Sequence, residues 1–135
     1  MTERYGQNSS PFGYEDLQVY QAARALRRRI YRLVRMLPDD ERFALAQQMR
    51  RAAASITANL AEGYGRHNWQ ESSQFCRQAR GSLLELAEHV QVCIDEGYAE
   101  AEHLEALRNN DIMDVLRLLN GYIRYLQNRK VAEKQ

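Results

Sequence analysis

The chain has 135 residues, of which 44% are hydrophobic and 27% charged, a balance typical of one globular domain rather than of a disordered chain. Its formal net charge of +1 produces no strong overall electrostatic attraction to nucleic acid or membrane. Two prolines and seven glycines are few for a β domain with many turns. Composition therefore excludes collagen-like, mucin-like and disulfide-scaffold proteins and favours helices.

Residues 1–13 are rich in turn-forming residues and contain no apolar run, so we predict a flexible N-terminal arm without a signal peptide. Apolar runs in the rest of the chain reach about four residues, whereas a membrane span needs about 20. Cys76 and Cys93 lie about 25 Å apart if they share one helix, too far for a disulfide. These features predict a cytoplasmic protein with no membrane partner and with reduced thiols in its core.

The first two helices are predicted over residues 14–37 and from Asp39 or Asp40 to Gly63. Pro38 separates them, because the residue before a proline is disfavoured in a helix. Gly63 fits a left-handed position after the second helix. Apolar residues recur at steps of three and four: Val19, Ala22, Leu26, Ile30, Leu33 and Leu37, then Leu45, Met49, Ala52, Ile56 and Leu60. Small side chains on the second helix predict a close neighbouring helix: Ala52, Ala53, Ala54, Ala58 and Ala61.

A third helix is predicted from Asn68, a suitable N-cap, to Gly97, and a fourth over residues 99–127. Both continue the helical apolar spacing, and residues 128–135 form a polar C-terminal tail. Four amphipathic helices with short links predict an all-α fold, an antiparallel up-down-up-down four-helix bundle over residues 14–127.

Two motifs carry a resemblance to a known family. Residues 55–63 read Ser-Ile-x-x-Asn-Leu-Ala-Glu-Gly, and residues 81–85 read Gly-Ser-x-x-Glu. With Tyr-Glu-Asp-Leu at residues 14–17 and Leu-Pro at 37–38, the chain resembles the bacterial 23S rRNA-intervening-sequence (S23) proteins over residues 14–127. The resemblance implies a small cytosolic four-helix bundle with no established enzymatic activity and no cofactor.

The same resemblance implies partners. Some relatives are similar to accessory proteins of diversity-generating retroelements, which form pentameric rings and bind nucleic acid and a reverse transcriptase. We therefore expect a homo-oligomer, with a pentamer as the leading candidate, and an RNA or ribonucleoprotein partner. The rival hypothesis is a pure assembly module, whose oligomer docks a protein and never binds nucleic acid.

Charge is unevenly distributed along the chain. Residues 14–66 hold ten arginines and six acids, whereas residues 67–114 hold three arginines and ten acids. Arginine suits bidentate phosphate contacts and base stacking. The candidate nucleic-acid-binding residues are Arg24, Arg27, Arg28, Arg32, Arg35, Tyr64 and Arg66. The alternative is a solvated face that pairs with the acidic third helix, within or between subunits.

Further polar residues are candidates for structural roles. A polar row is formed by Ser55, Asn59 and Glu62 on the second helix and by Ser82 and Glu85 on the third. We expect this row to bond across the two helices, with Arg50 or Arg51 pairing with Glu85; a small-ligand pocket is the alternative. Glu100 and His103 form one Glu-x-x-His step, where a di-iron bundle needs two, so we predict no metal site and no catalytic residues.

Overall fold

The computed structural model describes residues 11–66 and 68–134, so most of the predicted N-terminal arm lies outside the described residues. A 3₁₀ turn at Tyr14–Asp16 leads into α1 (Gln18–Val34), α2 (Leu45–Tyr64) and α3 (Trp69–Glu96). A fourth rod consists of α4 (Ala101–Ala106), a π-helical segment (Leu107–Ile112) and α5 (Met113–Lys134). Within the described ranges there is no strand, which confirms the all-α prediction.

Contacts between helices establish their directions. Ser82 on α3 bonds to Ser55 on α2, whereas Ser72, earlier on α3, bonds to Gly63, later on α2. Residue numbers thus fall along one helix as they rise along the next, which is the signature of an antiparallel pair. The same order relates α3 to the fourth rod, through the pairs Arg80–Asn120 and Ala87–Arg108. The structure is therefore the up-down bundle that the sequence predicts.

The core of the bundle lies along the predicted apolar stripes. Ile30, Met49 and Leu83 are completely buried, and Leu33 in the predicted α1 stripe is half-buried. Cys76 and Cys93 are free and buried, as predicted, and burial raises the pKa of each thiol to about 11. None of the helices in the described part of the chain is long and apolar enough to cross a membrane.

Two predicted helix ends are confirmed. The Asn68 side chain accepts hydrogen bonds from the backbone N–H groups of Gln70 and Glu71, which otherwise lack partners in the first turn of α3. Gly97 ends α3 in the left-handed conformation, with φ of 66°.

Other predicted boundaries are wrong. The residues expected to begin the second helix form a separate 3₁₀ turn at Asp39–Glu41, and α2 begins at Leu45 without a side-chain cap. Gly63 lies inside α2 and not in a left-handed position. A Cβ there would lie 2.9 Å from the Phe75 Cβ and 3.2 Å from the Ser72 carbonyl oxygen, so glycine permits α2 to approach α3.

The fourth rod differs from the predicted regular helix in two ways. It contains the π-helical segment, in which Asp111 pairs with Arg29 of α1, and Arg108 donates from Nε to the Ala87 carbonyl at 3.2 Å. A π turn inserts a residue and rotates the helix that follows, so it changes which side chains face α1 and α3. The rod also continues as helix to Lys134, past the predicted end at residue 127.

Candidate nucleic-acid interface

The outer face of α1 carries a row of exposed arginines. Arg24, Arg28 and Arg32 are exposed on this helix, and Arg35 follows its last residue. Their spacing of three or four residues places them on one side, away from the buried stripe. Among the described residues, no carboxylate forms an ion pair with any of the four. We call these four residues the arginine face; its charge is not neutralised within the described chain.

Two other arginines of α1 point toward neighbouring helices. Arg27, predicted to join the outward row, is half-buried, and its Nη1 donates to the Thr57 hydroxyl of α2 at 2.9 Å. Thr57 in turn donates to the Ala54 carbonyl at 3.1 Å. Arg29 pairs with Asp111 in the π-helical segment. The described acidic residues of α3 make no ion pair with α1, so pairing with the third helix inside one chain does not account for the arginine face.

Tyr64 and Arg66, the two candidate RNA-binding residues at the end of α2, lie on opposite sides of that helix. Tyr64 lies on the α1 side: a Cβ on Gly13, just before the first 3₁₀ turn, would be 2.9 Å from the Tyr64 hydroxyl. Arg66 lies on the α3 side, where its guanidinium is 3.2 Å from the Glu62 carboxylate and 4.9 Å from the centre of the Phe75 ring. Tyr64 therefore adjoins the α1–α2 surface, whereas Arg66 is already paired on the other flank of α2.

A groove of about 480 Å³ runs between α1 and α2, and sequence reasoning did not predict it. Its lining combines three tyrosines and one arginine with short residues of α2: Tyr14, Tyr20, Arg27, Tyr31, Ala54, Thr57, Ala58 and Ala61. We call it the tyrosine groove. The spacing of Tyr20, Arg27 and Tyr31, seven and four residues apart, could have shown that they share one flank of α1, but not which residues of α2 lie opposite them.

The polar row divides into two parts. Ser82 donates to the Ser55 hydroxyl at 2.8 Å across the α2–α3 contact, and the Asn59 amide donates to the Ser55 carbonyl at 2.9 Å. These three half-buried residues bond to one another, as a structural role across the two helices requires. Glu62 and Glu85 instead pair along their own helices, with Arg66 and His89 respectively. The expected pairing of Glu85 with Arg50 or Arg51 is not formed.

A second groove, of about 560 Å³, lies between the end of α1 and the fourth rod. Its lining is apolar at Leu33, Met36 and Leu104 and also includes charged residues, among them Arg32 and Glu100. The Glu100 carboxylate lies 3.6 Å from Nδ1 of an exposed histidine, His103. The described residues include no cluster of three or more potential metal ligands, at this groove or elsewhere.

Known proteins identify the fold and the family. The crystal structure of a protein of unknown function from the S23 ribosomal protein family of Bacteroides thetaiotaomicron is similar, with a TM-score of 0.72 and 22% identity over 78% of this chain and 95% of that one. At that identity the likeness shows the fold alone. No curated protein matches the chain. Residues 15–121 match the family described as 23S rRNA-intervening sequence protein. The match covers most of the sequence and agrees with the resemblance of its motifs, and the chain therefore belongs to this family.

Proposed function

We propose that this protein is a non-enzymatic, cytoplasmic adaptor that forms homo-oligomers and binds RNA or a ribonucleoprotein through α1. The observation that carries the proposal is the arginine face, four exposed cations without an acidic partner in the described chain. Uncompensated arginines on one helix suit phosphate groups, because each guanidinium can donate two hydrogen bonds to one phosphate. The family name, which refers to 23S rRNA, supports the same class of partner.

The test is a fluorescence anisotropy titration of a labelled structured RNA with the full chain, at low and near-physiological salt. Wild-type protein is expected to bind at micromolar concentration or below at low salt, and to weaken steeply as salt rises. Reversing Arg28→Glu and Arg32→Glu together is expected to abolish binding at near-physiological salt without unfolding the protein.

The matched control reverses Arg77→Glu on α3 and Arg124→Glu on α5, two exposed arginines that form no ion pair among the described residues, and so changes the net charge by the same amount. RNA binding that survives this control supports contact through α1. Equal loss in both double variants would show that binding follows net charge, and unchanged binding after reversal of Arg28 and Arg32 would reject the arginine face.

The second candidate function is a pure assembly module, and the second groove favours it. Met36 at this groove is 68% exposed, beside the largely apolar wall formed by Leu33 and Leu104. An exposed groove that is lined by both apolar and charged residues suits another protein surface. If this function is correct, sedimentation shows an oligomer that Met36→Glu dissociates, and no RNA binds even at low salt. RNA binding by the wild-type protein would reject it.

A further inference from the structure

We infer that the tyrosine groove between α1 and α2 is a base-binding site, which takes an unpaired nucleobase of a single-stranded RNA while the arginine face holds the flanking phosphates. This inference rests on the proposed function and adds to it the form of RNA that is bound. It is carried by the composition of the groove and by its position beside the arginine face.

The walls of the groove are aromatic. Tyr14 and Tyr20 meet edge to face at one end, with ring centres 5.0 Å apart, and Tyr31 lines the groove farther along α1. Tyr14 and Tyr31 are half-buried, so each retains accessible surface. Tyr64, which is 41% exposed, lies near the Tyr14 end of the groove, because it packs against Gly13. Stacking on aromatic rings is the main way in which proteins hold unpaired bases, and it tolerates any base.

Arg27 supplies the cation inside the groove. Its bond to Thr57 fixes the guanidinium across the gap between the two helices and uses one of the five N–H donors that an arginine side chain carries. No carboxylate in the described chain pairs with it. A guanidinium plane can stack on a base and can donate to base acceptors or to a phosphate.

The floor of the groove is open because α2 contributes short side chains. Ala54 and Ala61 are half-buried and Ala58 is exposed, so no residue of the described chain covers them completely. The volume of about 480 Å³ lies within the range of about 300–1,000 Å³ that small-molecule sites occupy. The groove therefore has room for a planar ring system.

The charge of Arg27 and the position of Arg24 favour a nucleotide over an apolar peptide as the occupant. An apolar helix in the groove would bury the unpaired charge of Arg27, which is costly, whereas a nucleotide brings its own phosphate. Arg24 lies four residues after Tyr20 and seven before Tyr31, so helical spacing places it at the rim of the same groove. A strand with a base in the groove would thus have its phosphates beside Arg24 and Arg28.

The experiment compares two labelled probes of equal length, an eight-nucleotide oligouridine RNA and the same ribose-phosphate strand without bases. Base–aromatic stacking of about 1–3 kcal/mol per base corresponds to roughly 5- to 150-fold in affinity. Wild-type protein is therefore expected to bind the oligouridine about tenfold or more tightly than the abasic strand.

Groove variants then locate the site. Ala58→Leu projects a larger side chain from an exposed position and is expected to remove the preference for bases, while binding of the abasic strand is unchanged. The matched control Ala101→Leu, at an exposed position of α4 outside both grooves, is expected to keep the preference. Tyr31→Phe should also keep it, and Tyr31→Leu should reduce it, because stacking needs the ring and not the hydroxyl.

The outcomes separate this inference from the proposed function. Equal, salt-dependent binding of both strands would overturn the base site and leave the arginine face as the RNA contact. A base preference that survives both Ala58→Leu and Tyr31→Leu would place the bases outside the groove and would also overturn the inference. Binding of neither strand, together with no binding of structured RNA, would overturn the proposed function, and the base site with it.

Discussion

The two flanks of α2 carry similar small residues and yet form different contacts. Toward α3, Ser55 bonds directly to Ser82, and Gly63 meets the backbone at Ser72, so the two helices touch. Toward α1, the alanines remain partly exposed along a groove of about 480 Å³. The flank that faces α3 is closed, whereas the flank that faces α1 is open.

The difference originates in the opposing helix. Serines of α3 are short and bond to α2 at close range. In contrast, α1 presents the long side chains of Tyr20, Arg27 and Tyr31 at the groove, and Arg27 donates across it to Thr57. The distance between packed helices depends on the side chains at the contact. In this molecule, small residues of α2 meet the short serines of α3 directly, and small residues on its other flank leave a groove beside the long side chains of α1.

The largest expected difference between the closed and open flanks is in thiol reactivity. Cys93 lies on the closed side, with its sulfur 3.9 Å from that of Met49, and burial raises the pKa of Cys93 and Cys76 from an ordinary 9.0 to about 11. At pH 8 this shift alone lowers the reactive thiolate population about 100-fold. A cysteine introduced by Ala58→Cys in the tyrosine groove is expected to react with Ellman's reagent at least that much faster than the native pair.

The pH dependence of the labelling rate distinguishes the buried native thiols from the introduced cysteine. Because folding raises their pKa, the native thiols stay protonated, and their rate should increase about tenfold per pH unit until about pH 11. The rate of the introduced cysteine should level off nearer its ordinary pKa. Denaturant is the control, since it should expose all thiols equally. Fast labelling of Cys93 in native wild-type protein at pH 8 would contradict a closed α2–α3 contact.

A smaller difference, in the free energy of unfolding, is expected between alanine substitutions at two glycines that differ in their surroundings. Gly63→Ala places a Cβ 2.9 Å from the Phe75 Cβ, so we expect the free energy of unfolding to fall by about 1–3 kcal/mol. A Cβ on Gly81 of α3 would have no neighbouring atom within 4 Å, so Gly81→Ala is expected to stabilise the helix by about 0.5–1 kcal/mol. Urea denaturation followed by circular dichroism measures both. Stabilisation by both alanines would show that α2 and α3 are not in close contact at Gly63.

Much of the fold follows from local patterns in the sequence. The spacing of residues such as Leu26 and Ile30 predicts the buried side of α1, and the Asn68 cap and the left-handed Gly97 mark the ends of α3. The role of Gly63 was not predictable in this way, because its cause lies in residues of another helix. The π-helical segment was also missed, although the step of five residues from Leu107 to Ile112, in an apolar stripe that otherwise advances by three or four, is the spacing of a π turn.

The candidate site was only partly predictable for the same reason. Helical spacing suffices to place Arg24, Arg28 and Arg32 on an outer face, but whether they are paired depends on acids elsewhere in the fold. Arg27 has the same spacing and nevertheless turns toward Thr57. The tyrosine groove exists only when the tyrosines of α1 and the alanines of α2 are placed opposite each other, and periodicity within one helix contains no information about that register.

The central claim is that RNA contacts the open side of α1, and photo-crosslinking tests it most directly. A 4-thiouridine-containing single-stranded RNA is irradiated with the full wild-type chain, and the cross-linked peptides are identified by mass spectrometry. We predict cross-links on α1 and the facing side of α2, with Tyr31 and Tyr64 among the modified residues. Cross-links confined to the outer faces of α3 and α5 would contradict it.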